Sequence, residues 1–143
     1  MIYYLNIGTN LGDRQQNLRR AIAALSAGNG GCRVSDVVES EPWGFGSDNA
    51  FLNVAVAIKS SMEPQQLLDW IHAIEKRLGS GSHRDADGNY IDRLIDIDIM
   101  AADDEQGNSI TVNTPTLQIP HPHLYDRPFF YNLYNQLKHL NNQ

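Results

Sequence analysis

Cysteine is almost missing from this sequence: Cys32 is the only one in 143 residues. An intrachain disulfide is excluded, and the cytoplasm, a reducing compartment, is the expected location. Long apolar runs are missing too. None reaches the length that spans a bilayer, and the opening "MIYYLNIG" has no basic segment ahead of an apolar one, so neither a signal peptide nor a membrane helix is expected. Basic residues are outnumbered, 11 Lys and Arg against 17 Asp and Glu, for a formal charge of −6. An acidic surface repels phosphate backbones, which argues against non-specific binding to nucleic acid or to an acidic membrane. A phosphorylated ligand remains compatible if a cation mediates. There is no internal repeat and no low-complexity tract.

What is present is an ordinary globular composition, 41% hydrophobic and 20% charged, and a length that suits one domain over 1–143 with one core. "IYYLNIG" (2–8) reads as a buried strand ended by Gly8. Leu11, Leu18, Ile22 and Leu25 recur at helical spacing, with Asn10 and Asp13 as capping residues, and "GNGG" (28–31) stops that helix. A β-rich segment from Cys32 to Glu39 follows, then a Pro/Gly-rich loop (40–50). "FLNVAVAIK" (51–59) alternates: Leu52, Val54, Val56 and Ile58 point one way, Phe51, Asn53, Ala55 and Ala57 the other. Pro64 opens a second helix with the stripe Leu67, Ile71, Ile74 and Leu78, and Gly79 ends it. The order is β-α-β-β-α-β. This predicts an α+β, ferredoxin-like antiparallel sheet with both helices on one face and a C-terminal extension. In that extension "ADDEQGN" (102–108) reads as a solvated turn, "IPHPHLYDRPFF" as a Pro-punctuated loop, and Pro128 to about Leu140 as a closing helix.

The stretch "DRLIDIDIM" (92–100) sets two acids into an apolar strand. Alternation puts Ile95, Ile97 and Ile99 toward the helix-covered core, and Asp96 and Asp98 together on the opposite face, between Leu94 and Met100. Alternate residues of a strand lie about 6.6 Å apart, a spacing at which two carboxylates can hold one or two hard cations. Phe51 and Asn53 share that face. An amphipathic strand facing water is the plainer reading of the acids. The convergence of two acids, an aromatic, an amide and the mouths of two glycine-rich loops favours a site. His121 and His123 in "PHPH" lack a third nearby ligand for a transition metal. "NIGTNLGD" lacks the Gly-Lys-Ser/Thr ending of a phosphate loop and reads as a strand end and helix cap. Trp70 reads as packing.

Four blocks in order, "NIGTNLGDR" (6–14), "SEPWGFGSDNAFLN" (40–53), "IEKRLG…DRLIDIDIM" (74–100) and "IPHPHLYDRPFF" (119–130), resemble the 6-hydroxymethyl-7,8-dihydropterin pyrophosphokinases. The resemblance implies a ferredoxin-like fold and a Mg²⁺-dependent diphosphotransferase of folate biosynthesis that moves pyrophosphate from ATP to the pterin alcohol and leaves AMP. It implies that Asp96 and Asp98 hold two Mg²⁺ ions and act in catalysis with Arg93 and Arg84. Phe51 and Phe129 would sandwich the pterin. Asn53 would read its polar edge, with backbone groups of Ser40, Pro42 and Trp43. His72, Glu75, Arg93, His121 and Arg127 would meet ATP. The partners implied are these two small molecules.

The sequence departs from the family pattern after the second helix. Where Gly-Arg-x-Arg is usual, "GSGSHR" puts Ser80 and Ser82 at the arginine positions, with Arg84 or Arg77 as substitutes. A second reading is therefore a pterin- or nucleotide-binding protein with impaired catalysis. A third, an RNA-binding module with aromatics on an open sheet, is opposed by the acids at the sheet's centre and the net charge.

Overall fold

The structure, a computed structural model, describes residues 1–27, 29, 32–40, 50–79 and 95–141. Among them the elements are β1 (Ile2–Thr9), α1 (Arg14–Ser26), β2 (Cys32–Val34), β3 (Val38–Ser40), β4 (Phe51–Lys59), α2 (Pro64–Arg77), β5 (Asp96–Asp103), β6 (Val112–Asn113), β7 (Gln118–Ile119) and α3 (Pro128–Asn141). The fold is α+β. β1 is buried along nearly its whole length because it is central: β4 pairs with it on one side and β5 on the other, both antiparallel. The sheet order is β2-β4-β1-β5, with β3 also on β4.

The helices begin where their first turns are satisfied. Asp13 accepts from the Gln16 backbone N–H at 3.1 Å and caps α1. Leu11, expected on that helix, lies in the bend ahead of it. At α2, Gln66 Oε1 accepts from the Glu63 backbone N–H at 2.9 Å and Pro64 occupies the first turn, where its missing N–H is not needed. Leu18, Ala21 and Leu25 of α1 and Leu67, Ile71 and Ile74 of α2 form one core with Leu5, Ile7, Val54, Val56, Ile58, Ile95, Ile97 and Ile99.

The opposite face is divided. Phe130, Leu133 and Leu137 of α3 pack on Tyr4, Ala55, Ala57, Met100 and Ala101, so α3 covers that half of the sheet. Met100, expected on an open face, is fully buried there. The β1–β5 register shifts between Tyr4, opposite Ala101, and Leu5, opposite Ile99. Met100 is thus the extra residue of a bulge, and alternation restarts beyond it.

Outside the main elements one expectation is corrected and two others gain detail. The β segment after α1 is two short strands: Ser35 Oγ takes the Ala55 N–H at 2.8 Å and interrupts the ladder. The stretch 102–108 is only partly a solvated turn. β5 runs on to Asp103, which is buried and accepts from Lys138 Nζ at 2.8 Å and from the Tyr4 hydroxyl at 3.0 Å, anchoring α3 to the strand. The tail also contains the β6–β7 hairpin, whose strands are too short to show a period. The expected closing helix from Pro128 matches α3.

Candidate active site

The register assembles the site row by row. Asn53 of β4, Gly8 of β1 and Asp96 of β5 lie side by side; Ala55, Asn6 and Asp98 form the next row. Cross-strand partners project to the same face, and Ala55 belongs to the core under α3. Asp96 and Asp98 therefore both project on the α3 side, just beyond the part that α3 covers. Both are half-buried, while Ile95, Ile97 and Ile99 are buried on the helix side.

Glu75 holds this strand in place. Its side chain is 2% exposed, and Oε2 accepts the Ile97 backbone N–H at 2.9 Å, between the two aspartates. The outer edge of β5 also receives the backbone N–H of His121, which donates to the Met100 carbonyl at 2.9 Å. His121 Nε2 then stands 3.9 Å from Asp98 Oδ1. Its Nδ1 accepts from the His123 N–H at 3.0 Å, so the ring proton sits on Nε2, on the Asp98 side. Burial, then the Arg127 charge, then His123, pull the imidazole pKa down to about 4. The carboxylate at 3.9 Å does not reverse that balance, and His121 is a neutral N–H donor near pH 7.

The other half of the site lies around Gly8. A Cβ there would meet Asn53 Oδ1 at 3.2 Å and the Phe51 ring at 3.4 Å, so both side chains border the space that glycine leaves. Asn53 Nδ2 donates to Ser40 Oγ at 2.7 Å. Phe129 packs against the α3 core, its ring edge-on to Phe130 with centroids 5.0 Å apart. The Arg127 guanidinium lies 4.8 Å from the Phe130 ring centroid, and the His121 ring is edge-on to Phe130 at 5.1 Å.

A cavity of about 360 Å³ opens at the outer edge of β5, lined by Leu68, His72, Ile97, Asp98, Leu117 and His121 among others. Asp98 and His121 thus border both the cavity and the sheet face. Among the described residues no three His, Cys, Asp or Glu side chains converge as a metal set. Two carboxylates without sulfur or a His cluster suit a hard cation that completes its shell with water and phosphate oxygens. Pro42, Trp43, Arg84 and Arg93 lie outside the described residues, as do Ser80 and Ser82. Sequence reasoning missed Asn6 and Gly8 as members of this surface, although the alternation that marked Asp96 also puts Asn6 and Gly8 on one side of "IYYLNIG". It also missed Leu117, which the hairpin brings in.

These features define an α+β domain with a carboxylate pair set between a cavity of mixed polar and apolar lining and an aromatic, amide-bearing sheet face. The chain belongs to the 7,8-dihydro-6-hydroxymethylpterin-pyrophosphokinase family, whose pattern matches residues 4–139. It is similar to the 2-amino-4-hydroxy-6-hydroxymethyldihydropteridine pyrophosphokinase of Porphyromonas gingivalis, 40% identical over 131 residues that cover 90% of this chain and 84% of that protein. The proteins of the same name from Bacillus subtilis and Aquifex aeolicus are 36% and 38% identical over 130 and 127 residues. They cover 90% and 89% of this chain, and the matches span 72% and 74% of those proteins. Among the described residues no helix is long and apolar enough to cross a membrane.

Proposed function

We propose that the family's reaction, transfer of pyrophosphate from ATP to 6-hydroxymethyl-7,8-dihydropterin in folate biosynthesis, takes place here where the cavity meets the sheet face. The pterin lies over Gly8 between Phe51 and Phe129, with Asn53 at its polar edge and the backbone of Ser40, Pro42 and Trp43 beside it. The nucleotide enters the cavity past His72 and Leu117. The single observation that carries this placement is Asp98, which lines the cavity and stands in the sheet row next to Gly8.

The chemistry asks for little covalent help from the protein. The hydroxymethyl oxygen gives up its proton to solvent and bonds to the β-phosphorus, the bond from that phosphorus to the α–β bridging oxygen breaks, and AMP leaves with that oxygen. Positioning and charge neutralisation set the rate. Asp96 and Asp98 would hold two Mg²⁺ ions, which when bound supply positive charge to the phosphates and a template for their alignment. His121 offers its Nε2 proton as a neutral donor. Arg127 offers a guanidinium fork, the group that best matches phosphate oxygens. Glu75 serves ATP indirectly in this reading, by fixing the strand that carries both aspartates. Arg93 and Arg84 supply further cationic groups.

The element order and wholly antiparallel pairing support reading the sheet as a ferredoxin-like split βαβ unit, with β2 and β3 as one broken strand and α3 as the C-terminal extension. The cytoplasm is the location consistent with this reaction.

The test is Mg²⁺-dependent AMP formation. AMP should appear from ATP only when hydroxymethyl-dihydropterin and Mg²⁺ are both present, and chelation should stop it. Ligand binding without AMP would favour the binding protein with impaired catalysis, the reading that Ser80 and Ser82 suggest. AMP release independent of the pterin would overturn the site.

A further inference from the structure

Asn6 sits in the central strand, one alternation inward from Gly8, in the row Ala55–Asn6–Asp98. It is 2% exposed. A buried amide costs about 1–3 kcal/mol for each polar group left unmatched, and Asn6 is not fully matched: among the described residues no donor reaches its Oδ1. A leucine of similar size would avoid that penalty. What Asn6 does make is one directed contact. Its Nδ2 donates to Asn53 Oδ1 at 3.4 Å, and Asn53 Nδ2 donates in turn to Ser40 Oγ at 2.7 Å.

We propose that Asn6 is a positioning residue for the pterin, acting through Asn53, whose amide it holds in place together with Ser40. The inference rests on the reading of Asn53 as the residue at the pterin's polar edge. Asn53 is held at both ends, by Asn6 at Oδ1 and by Ser40 at Nδ2, so the plane of its amide is set before a ligand arrives. It keeps one N–H and one oxygen lone pair for the heterocycle. Gly8 belongs to the same device, since a Cβ at 3.2 Å from Asn53 Oδ1 would press on the oriented atom. The 3.4 Å contact is long, and weak as a source of stability. Its part is to hold the Asn53 amide in place.

Asn6→Leu tests this. The KM for hydroxymethyl-dihydropterin should rise about tenfold, the equivalent of about 1.4 kcal/mol, with kcat and the KM for ATP within about twofold of wild type. The melting temperature should stay near wild type, because one unmatched carbonyl, Asn6 Oδ1, is removed while Asn53 Oδ1 loses its donor. An unchanged pterin KM, or equal losses toward both substrates, overturns the proposal. Asn6→Ala, which only removes atoms, serves the same measurement if leucine disturbs packing. In the double variant Asn6→Leu/Ser40→Ala, the pterin KM should rise no further than in the worse single variant; multiplied effects would show that the two ends are not one relay. Pterin binding measured by calorimetry with Mg²⁺ and α,β-methylene-ATP separates the two levels. Failure of the wild type to bind sinks the reading of the site, whereas equal binding by wild type and Asn6→Leu sinks only the role of Asn6.

Discussion

The two faces of the sheet are built from the same strands and do different work. The face under α1 and α2 is lined mostly by buried Leu, Ile and Val side chains, with Tyr3 among them. The face toward α3 carries Ala55, Ala57 and Ala101 where the helix lies close, and Asn53, Gly8, Asn6, Asp96 and Asp98 where it does not. Large branched residues fill volume and stabilise by area removed from water. Small and polar ones leave room and direction, which a ligand needs and a core does not. One face therefore holds the strands in place so that the other can present unevenly satisfied groups, Asn6 Oδ1 among them.

That contrast can be broken at its strongest point first. Asp98→Ala should lower turnover about a hundredfold or more, the scale on which positioned charge-stabilising groups act, while the thermal melt stays near wild type. A variant that keeps most of its AMP-forming rate would remove Asp98 from the site. The opposite substitution is Leu67→Ala on the packed face. It should cost about 2–5 kcal/mol of stability, the usual range for emptying a buried leucine site. In denaturant melts that loss should appear while kcat per folded molecule stays near wild type. A large kcat loss with full stability would show that the faces are not separable in this way.

The smallest effect concerns pH. Tyr3 is buried in the helix-side core and its hydroxyl donates to the Met62 carbonyl at 2.6 Å. Burial, helped by the Glu63 charge, raises its pKa to about 12 from the usual 10.0. A raised phenol pKa means that the folded state holds the proton more tightly than the unfolded chain. This contribution is complete below pH 10 and fades as pH climbs to about 12. Tyr3→Phe should flatten that part of the stability–pH curve; a curve of unchanged shape would assign the alkaline loss elsewhere. Tyr4 is shifted the same way by burial and by Asp103, so some alkaline loss should remain.

How much could be read in advance depended on the range of the cause. The alternation in "FLNVAVAIK" and "DIDI" put each residue on its observed face, since a strand's period is a property of its own backbone. The stripes of α1 and α2 were legible for the same reason. Asp103 was misread as part of a solvated turn because nothing near it in sequence shows that Tyr4 and Lys138 will meet it. The broken second strand depends on a hydroxyl–amide bond between residues 20 apart. Of the candidate site, the acids, Phe51, Asn53 and Phe129 were accessible from pattern and resemblance. The neutral state of His121 was not, because it follows from burial and from the Arg127 charge and His123 ring beside it.

By itself the chain determined which segments extend or coil, and that Asp96 and Asp98 leave one strand in the same direction, because both follow from bond geometry repeated along the backbone. Only the tertiary structure decided where α3 stops covering the sheet, how the Met100 bulge re-aims β5, and that Asp98 borders the cavity as well as the sheet. Those outcomes come from contacts between residues far apart in sequence, whose meeting no local pattern encodes.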